Sequence, residues 1–414
     1  MKLIVHKLGP LKETEIEINT PITILFGRSN TGKSYVLKAL YSLLSFLDKS
    51  NEERIIDSIL GNINFLENKM LEIDFATHIR TVIDFLRNSL VGESNVELYL
   101  NGKRSEDLIK ELGEKIRKID FKEETYEEKD IYSSFPQPQR VSVKLRDGKL
   151  LLNKATTQAS YSLISFLANS VRNYLSDVVL PIIEKKAKDL FEIPSVRYLN
   201  YGRFVALYGN LDDPYFSSSS YWIKNGKNLV KQGKINSEIE KLFNLSIKIK
   251  KEELTINGYS PAHSSASLVE LSSLFLAVAD GEGGLLLIEE PETQLDVYSQ
   301  IKIGVILYLL SKRFKIVFST HSEILLLTMA MLSRFSECAK DVLISRIKEL
   351  VDIENLDNLD HVDVNFYFFD KGKVEKRSAK EILANAEIFT DLNNKLLDSI
   401  TELVLAWEEK CQQR

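Results

Sequence analysis

Hydrophobic and polar residues alternate at the start of the chain. Leu3 and Val5, then Ile16 and Ile18, take every second position on either side of Gly9-Pro10. A period of two predicts a strand, a turn and a second strand. Residues 22–26, ITILF, form a mostly apolar run that stops at Gly27, which predicts a buried strand. Val36, Leu37, Leu40, Leu43 and Leu44 then recur at helical spacing and predict a helix over 34–47. Helix continues over about 51–91, with Ile55, Ile56, Ile59 and Leu60 on one stripe. Strands are expected at 95–100 and 141–152, the latter broken by an Arg146-Asp147-Gly148 turn. The charged stretch 105–130 is helical at first. Residues 133–139, with two prolines, read as a loop. Residues 160–191 predict a long amphipathic helix interrupted near Pro181.

The second half is more regular. Residues 196–201 predict another buried strand, and 212–228, with a serine run at 217–220, a polar loop. A short helix is expected at 239–243 and a hairpin from 246–250 and 254–256. From Ser267 the pattern runs helix, strand 285–289, helix 297–310, strand 315–319, helix 323–331. That alternation predicts an α/β fold with a doubly wound parallel sheet. The expected organisation is one split nucleotide-binding domain over 1–50 and 196–376, with a helical lobe at about 203–284. A mainly helical insertion with short strands fills 51–195, and a helical tail takes 377–414. No internal repeat is visible.

Composition narrows the function classes. The chain has 414 residues, 44% of them hydrophobic, enough for a large core. A formal net charge of -5 differs from that of a globally basic nucleic-acid binder, although a local basic patch remains allowed. The two cysteines, Cys338 and Cys411, lack CxxC spacing, so no disulfide framework or zinc cluster is expected and a reducing cytoplasm fits. The first ten residues lack a signal-peptide core, and the most apolar helix-like run, 301–310, is too short for a bilayer. No membrane partner is expected.

Chemistry enters after the third strand. Gly27, Arg28, Ser29, Asn30, Thr31, Gly32, Lys33 and Ser34 satisfy GxxxxGK[ST]. A loop that wraps a phosphate needs glycines for close backbone approach, and the following helix N-terminus favours the anion. Lys33 would reach the terminal phosphates and Ser34 would ligate Mg²⁺. Strand 285–289 ends in Glu289-Glu290 before Pro291. Two carboxylates at the end of an apolar strand are costly without partners or a task. Glu289 would orient Mg²⁺ through water, and Glu290 would activate the attacking water. His321 closes the next strand, where such sheets present ligand groups, and would sense the γ-phosphate.

In motif order the chain resembles the ABC-like ATPase superfamily. Within it the chain is most similar to the SMC-like and OLD-type branch, the AAA-type ATPases of prokaryotic repair and phage-defence systems. The resemblance covers about the first fifty residues and 196–330, and residues 362–375 look like the closing strands. It makes residues 27–34 the Walker A loop, residues 285–290 the Walker B strand and His321 the switch histidine. Glu289 stands where many relatives carry Asp. Residues 291–296, PETQLD, look like the D-loop, with Asp296 communicating across a dimer. Residues 264–271, SSASLVEL, stand at the signature motif, which caps the γ-phosphate held by the partner subunit. The usual serine falls on Ser265 and the usual glycine on Ser267, a departure that bears on trans contact rather than on ATP binding in cis. Arg203 falls in an element resembling the Q-loop and is a possible sensor.

The resemblance implies an Mg-dependent ATPase that binds and hydrolyses ATP as a head-to-tail homodimer. Hydrolysis would drive a switch acting on DNA or on an effector protein. A Toprim nuclease would need a glutamate and a paired DxD, and the spacing Asp360-His-Val-Asp363 lacks it. No nuclease activity is expected. The insertion is too short and broken for SMC coiled-coil arms. A slow or non-hydrolytic ATP-gated module stays open as an alternative, and a transporter ATP-binding subunit fits less well. Two basic stretches are the first places to look for DNA contact: Lys224, Lys227, Lys231 and Lys234, then Lys371, Lys373, Lys376, Arg377 and Lys380. A solvated face is the plainer reading of both.

Overall fold

The structure is a computed structural model. It describes residues 1–45, 52–61, 98–100, 102–117, 124–127, 140–146, 149–154, 161–182, 185, 195–200, 230, 245–250, 253–279, 283–336, 339–351 and 359–384. The chain opens with an antiparallel hairpin, β1 (Lys2–Leu8) and β2 (Leu11–Glu17), turning at Gly9 and Pro10. Leu3 pairs with Ile16 and both are fully buried, so the period of two puts one face of the hairpin inside. β3 (Ile22–Gly27) and α1 (Lys33–Leu44) follow as the periodicity predicts. α2 (Glu52–Gly61) buries Ile55, Ile56 and Ile59.

The middle of the chain has the expected strands near 98–100 and 140–154, but their pairing partners were not evident from its pattern. β4 (Leu98–Leu100) pairs antiparallel with β1, and β5 (Lys103–Arg104) pairs with β4, so this stretch extends the N-terminal sheet. After α3 (Ser105–Arg117), β6 (Glu124–Glu127), β7 (Arg140–Arg146) and β8 (Lys149–Lys154) form a three-stranded antiparallel sheet. α4 (Tyr161–Tyr174) runs into a π turn over Leu175–Val179, where the Leu180 N–H donates to the Leu175 carbonyl five residues back. A proline has no N–H and its ring crowds the carbonyl four residues behind it. The widened turn lies directly ahead of Pro181 and accounts for the expected interruption.

The rest builds the main sheet. β9 (Val196–Asn200) precedes the hairpin β10 (Ile247–Lys250) and β11 (Glu253–Ile256). Then come α5 (Ala266–Val278), β12 (Gly284–Glu289), α6 (Val297–Leu310), β13 (Phe314–Thr320) and α7 (Glu323–Phe335). α8 (Lys340–Val351), β14 (Val364–Asp370), β15 (Lys373–Arg377) and α9 (Ala379–Ala384) complete the described chain. The strand order is β15-β14-β3-β13-β12-β9. All pairings are parallel except that of the edge strand β15.

Alternation along the strands separates the two faces. Ile22, Ile24, Leu286, Ile288, Ile316 and Phe318 share a core with α5, α6 and α7. Leu25, Leu285, Leu287 and Val317, one residue out of phase, are also buried, and α1 packs against β9, β12 and β13. Both faces are therefore covered, as a parallel sheet requires. β3 comes early in sequence but lies mid-sheet, beside β13 and β14. The carboxyl ends of β3, β12 and β13 thus meet at one edge. This is a P-loop NTPase fold with a mixed α/β sheet. Among the described residues no helix is long and apolar enough to cross a membrane.

Candidate functional site

The loop between β3 and α1 has a backbone that only its own sequence accommodates well. Gly27 has φ 130°, and a Cβ there would stand 2.2 Å from the Phe369 carbonyl oxygen of β14. Gly32 caps α1 with φ 107°, and a Cβ there would stand 2.5 Å from Leu11. Asn30, at φ 59°, is a residue type that tolerates the left-handed region. Thr31 Oγ1 donates to the Arg28 carbonyl at 2.7 Å and tightens the turn.

Lys33 is buried at the start of α1. Its Nζ donates to the carbonyls of Gly27 at 3.0 Å and Arg28 at 2.7 Å, folding back over the loop. Burial lowers its pKa to about 8, against the opposing pull of Glu290 and Glu292. An ammonium that has lost its hydration and gained only carbonyls is poised to exchange them for phosphate oxygens.

Glu289 ends β12 and is buried. Its Oε1 accepts a 2.6 Å hydrogen bond from Tyr198 on β9, and the Tyr198 ring lies 4.8 Å from that of Tyr41 on α1. Glu289 shares its sheet face with Leu285 and Leu287, the face that α1 covers. Ser319 is paired with it across β13, and the Ser319 hydroxyl is buried without a hydrogen-bond partner among the described residues. Glu290 turns the chain out of the sheet at φ 48°, with its N–H donating to the Ser319 carbonyl at 3.0 Å. A non-glycine residue held there, directly before a proline, is strained.

The Glu290 carboxylate stands 3.6 Å from His321 Nε2. Partial burial, then the Lys33 charge, hold the His321 pKa below its ordinary value, while Glu290 and a hydrogen bond to the Gly27 carbonyl act the other way. Gly27, Arg28, Ser29 and His321 also line one cavity of about 690 Å³, together with Phe368 and Arg377.

Two residues at this edge escaped the reading of the sequence. Tyr198 is one; its only signal was a polar aromatic inside a buried strand. Glu292 is the other. It is buried, and its Oε1 accepts hydrogen bonds from Thr320 Oγ1, His321 N and Ser322 N. Burial pushes its carboxyl up from the ordinary range, against those hydrogen bonds.

The remaining candidates lie elsewhere. Ser265 is the N-cap of α5, accepting from Leu268 N at 3.4 Å, and its hydroxyl is 3.2 Å from that of Ser267. Neither lines the cavity at the phosphate loop. Asp296 caps α6, accepting from Tyr298 N and Ser299 N; the bonds from Ser299 foremost hold its carboxyl below the usual range. Arg203 and the lysines at 224, 227, 231 and 234 lie outside the described residues.

Residues 1–326, most of the chain and the site residues from Gly27 to His321, match the AAA ATPase domain family. The chain belongs to this family. It is thus an ATP-binding protein of the P-loop kind. It matches no curated protein. Distant structural likenesses include the SMC head domain from Thermotoga maritima, at 12% identity, covering 91% of this chain and 97% of that one, with a TM-score of 0.33. CbiO1 of Clostridium perfringens, part of an ABC transporter complex, is 11% identical over 96% of each chain, with a TM-score of 0.32. The recombination mediator protein RecF is 14% identical over 91% of this chain and 97% of its own, with a TM-score of 0.31.

ATPases of this kind take Mg²⁺ with the nucleotide. The donors present fit that ion: the Glu289 carboxylate and the orphaned Ser319 hydroxyl are hard oxygens paired across β12 and β13, and Ser34 offers a hydroxyl in the first turn of α1. Mg²⁺ needs only one or two protein oxygens when phosphates and waters supply the rest.

Proposed function

We propose that this protein is an Mg-dependent ATPase that closes head to tail on two ATP molecules and is released by hydrolysis. The observation that carries this reading is the meeting of Lys33, Glu290 and His321 at one end of the sheet. Glu290 is half-exposed and stands beside a histidine whose pKa is held below its ordinary value by partial burial, which suits a general base next to a hydrogen-bonding partner for the terminal phosphate. Lys33 would leave the Gly27 and Arg28 carbonyls for the phosphates. Ser34 and Glu289 would hold Mg²⁺, which when bound neutralises charge on the phosphate oxygens.

Head-to-tail closure is supported by two exposed surfaces. The N-terminus of α5, with Ser265 exposed, is the kind of helix end that would take an anion brought by a second copy. Beside Asp296, Val297 and Tyr298 are 50% and 62% exposed, an apolar step next to a charged cap. Light scattering of Glu290→Gln with saturating Mg-ATP tests the closure: the dimer mass is expected, and a monomer would contradict it.

The output, a switch acting on DNA or on an effector protein in repair or phage defence, is part of the same proposal. Lys371, Lys373, Lys376 and Lys380 are exposed on and beside edge strand β15, a position where lysines also block edge-to-edge pairing. DNA-stimulated turnover that weakens when they are neutralised would favour DNA; turnover indifferent to DNA would favour a protein partner. The Ser267 side chain, where the related motif has glycine, favours the slow ATP-gated alternative, in which binding rather than turnover sets the state.

A further inference from the structure

Glu292 is a buried, multiply hydrogen-bonded carboxyl that the proposed reaction leaves without a role. It belongs to the loop between β12 and α6, yet it is only 9% exposed. Its Oε1 gathers three donors from the end of β13 and the loop after it: Thr320 Oγ1 at 2.9 Å, His321 N at 2.7 Å and Ser322 N at 3.1 Å. Its Oε2 is buried with no hydrogen-bond partner among the described residues. Burying a carboxylate is costly, and leaving half of it unpartnered more so. A loop held only for stability could use an apolar side chain there. What the carboxylate adds is a specific grip on two backbone amides, those of His321 and of the residue after it.

A second tie runs beside the first. Gln300 Nε2 donates to the Leu295 carbonyl at 2.9 Å, and Ser322 Oγ donates to Gln300 Oε1 at 2.6 Å. Each loop is also fastened to the helix it begins: Asp296 caps α6, and Ser322 Oγ accepts from Leu325 N at 3.0 Å to cap α7. The loop carrying Asp296 therefore cannot shift without pulling on the loop carrying His321.

We propose that Glu292 is a positioning residue that makes the Asp296 loop and the His321 loop one unit, so that pressure on the exposed Asp296–Tyr298 surface reaches the His321 ring. The inference rests on the reading of His321 as the group that meets the terminal phosphate. It adds the route by which a docked partner sets that group. One carboxylate oxygen makes all three bonds, and burial pushes the carboxyl toward its neutral form, so an amide at this position should serve nearly as well.

The test combines amide hydrogen exchange at His321 and Ser322 with turnover and Mg-ATP affinity, in the full chain. Glu292→Ala should speed exchange of both amides by at least about tenfold and lower kcat by about tenfold or more, with affinity changed less than about twofold. Glu292→Gln should keep exchange and kcat within about threefold of the parent. Gln300→Ala, which cuts the second tie alone, should show the same pattern with smaller changes, and it serves if Glu292→Ala does not fold. Unchanged exchange in the alanine variants would overturn the proposal, and so would faster exchange with kcat intact. A parent rate no higher than that of Lys33→Ala would instead sink the hydrolytic reading, and the exchange result would then decide the coupling by itself.

Discussion

The Glu290 carboxylate and the His321 imidazole stand 3.6 Å apart, at the ends of two adjacent parallel strands. Partial burial, then the Lys33 charge, hold the histidine pKa below its ordinary value and so work against an ion pair here. In the proposed reaction Glu290 accepts the proton of the attacking water, and the ring donates an N–H to the terminal phosphate. Glu290→Gln keeps the shape and removes the base. Its kcat should fall by about 10²- to 10⁴-fold, with Mg-ATP affinity within about twofold, in single-turnover and equilibrium-binding assays.

Lys33 makes nucleotide binding sensitive to alkaline pH. Its pKa is about 8 in the free protein because burial strips its hydration, and phosphates would raise it. A group whose pKa rises on binding contributes fully below the free value and loses that contribution as pH climbs through the bound value. Affinity for ATP should be flat up to pH 8 and then fall by up to about tenfold per pH unit. A fluorescent-nucleotide titration measures this, and Lys33→Ala should bind weakly with no such slope.

The Tyr198 hydroxyl orients Glu289 through a 2.6 Å hydrogen bond. Tyr198→Phe keeps the ring against Tyr41 and deletes the donor. The Mg²⁺ concentration for half-maximal turnover should rise by about tenfold, as for other outer residues that orient a metal ligand. Saturating Mg²⁺ should restore the rate to within about threefold, read from a magnesium titration at fixed ATP.

Gly27 is needed for space as much as for its φ of 130°. A methyl group there would drive into the Phe369 carbonyl, in the middle of the sheet. Gly27→Ala should lower unfolding stability by more than about 2 kcal/mol in urea titration, a backbone effect at a special φ. Gly61→Ala, where an added Cβ meets nothing within 4 Å, should stay within about 0.5 kcal/mol.

What the sequence disclosed was local. The phosphate loop, the apolar strand ending in Glu289 and Glu290, and the strand-helix alternation after Ser267 are each written in a few consecutive residues. The contact of His321 with Glu290 follows from two neighbouring strands in one regular alternation. Tyr198 and Glu292 stayed hidden for the opposite reason. Tyr198 meets Glu289 only through the register of β9 on β12, and no short pattern encodes a partner 91 residues away. Glu292 looks like one more polar residue of a turn, and only the packing of two loops buries it. The pairing of β4 with β1 likewise depends on tertiary contact, and a strand of three residues is too short to show a period.

The central claim is that Lys33 and Glu290 serve ATP hydrolysis at the end of this sheet. The most direct measurement is phosphate release from Mg-ATP by the purified full chain, with Lys33→Ala and Glu290→Gln prepared in parallel. The account predicts an Mg-dependent rate in the parent that both substitutions abolish, with Glu290→Gln still binding ATP. A parent rate indistinguishable from that of Lys33→Ala, or one that survives Glu290→Gln, would contradict it.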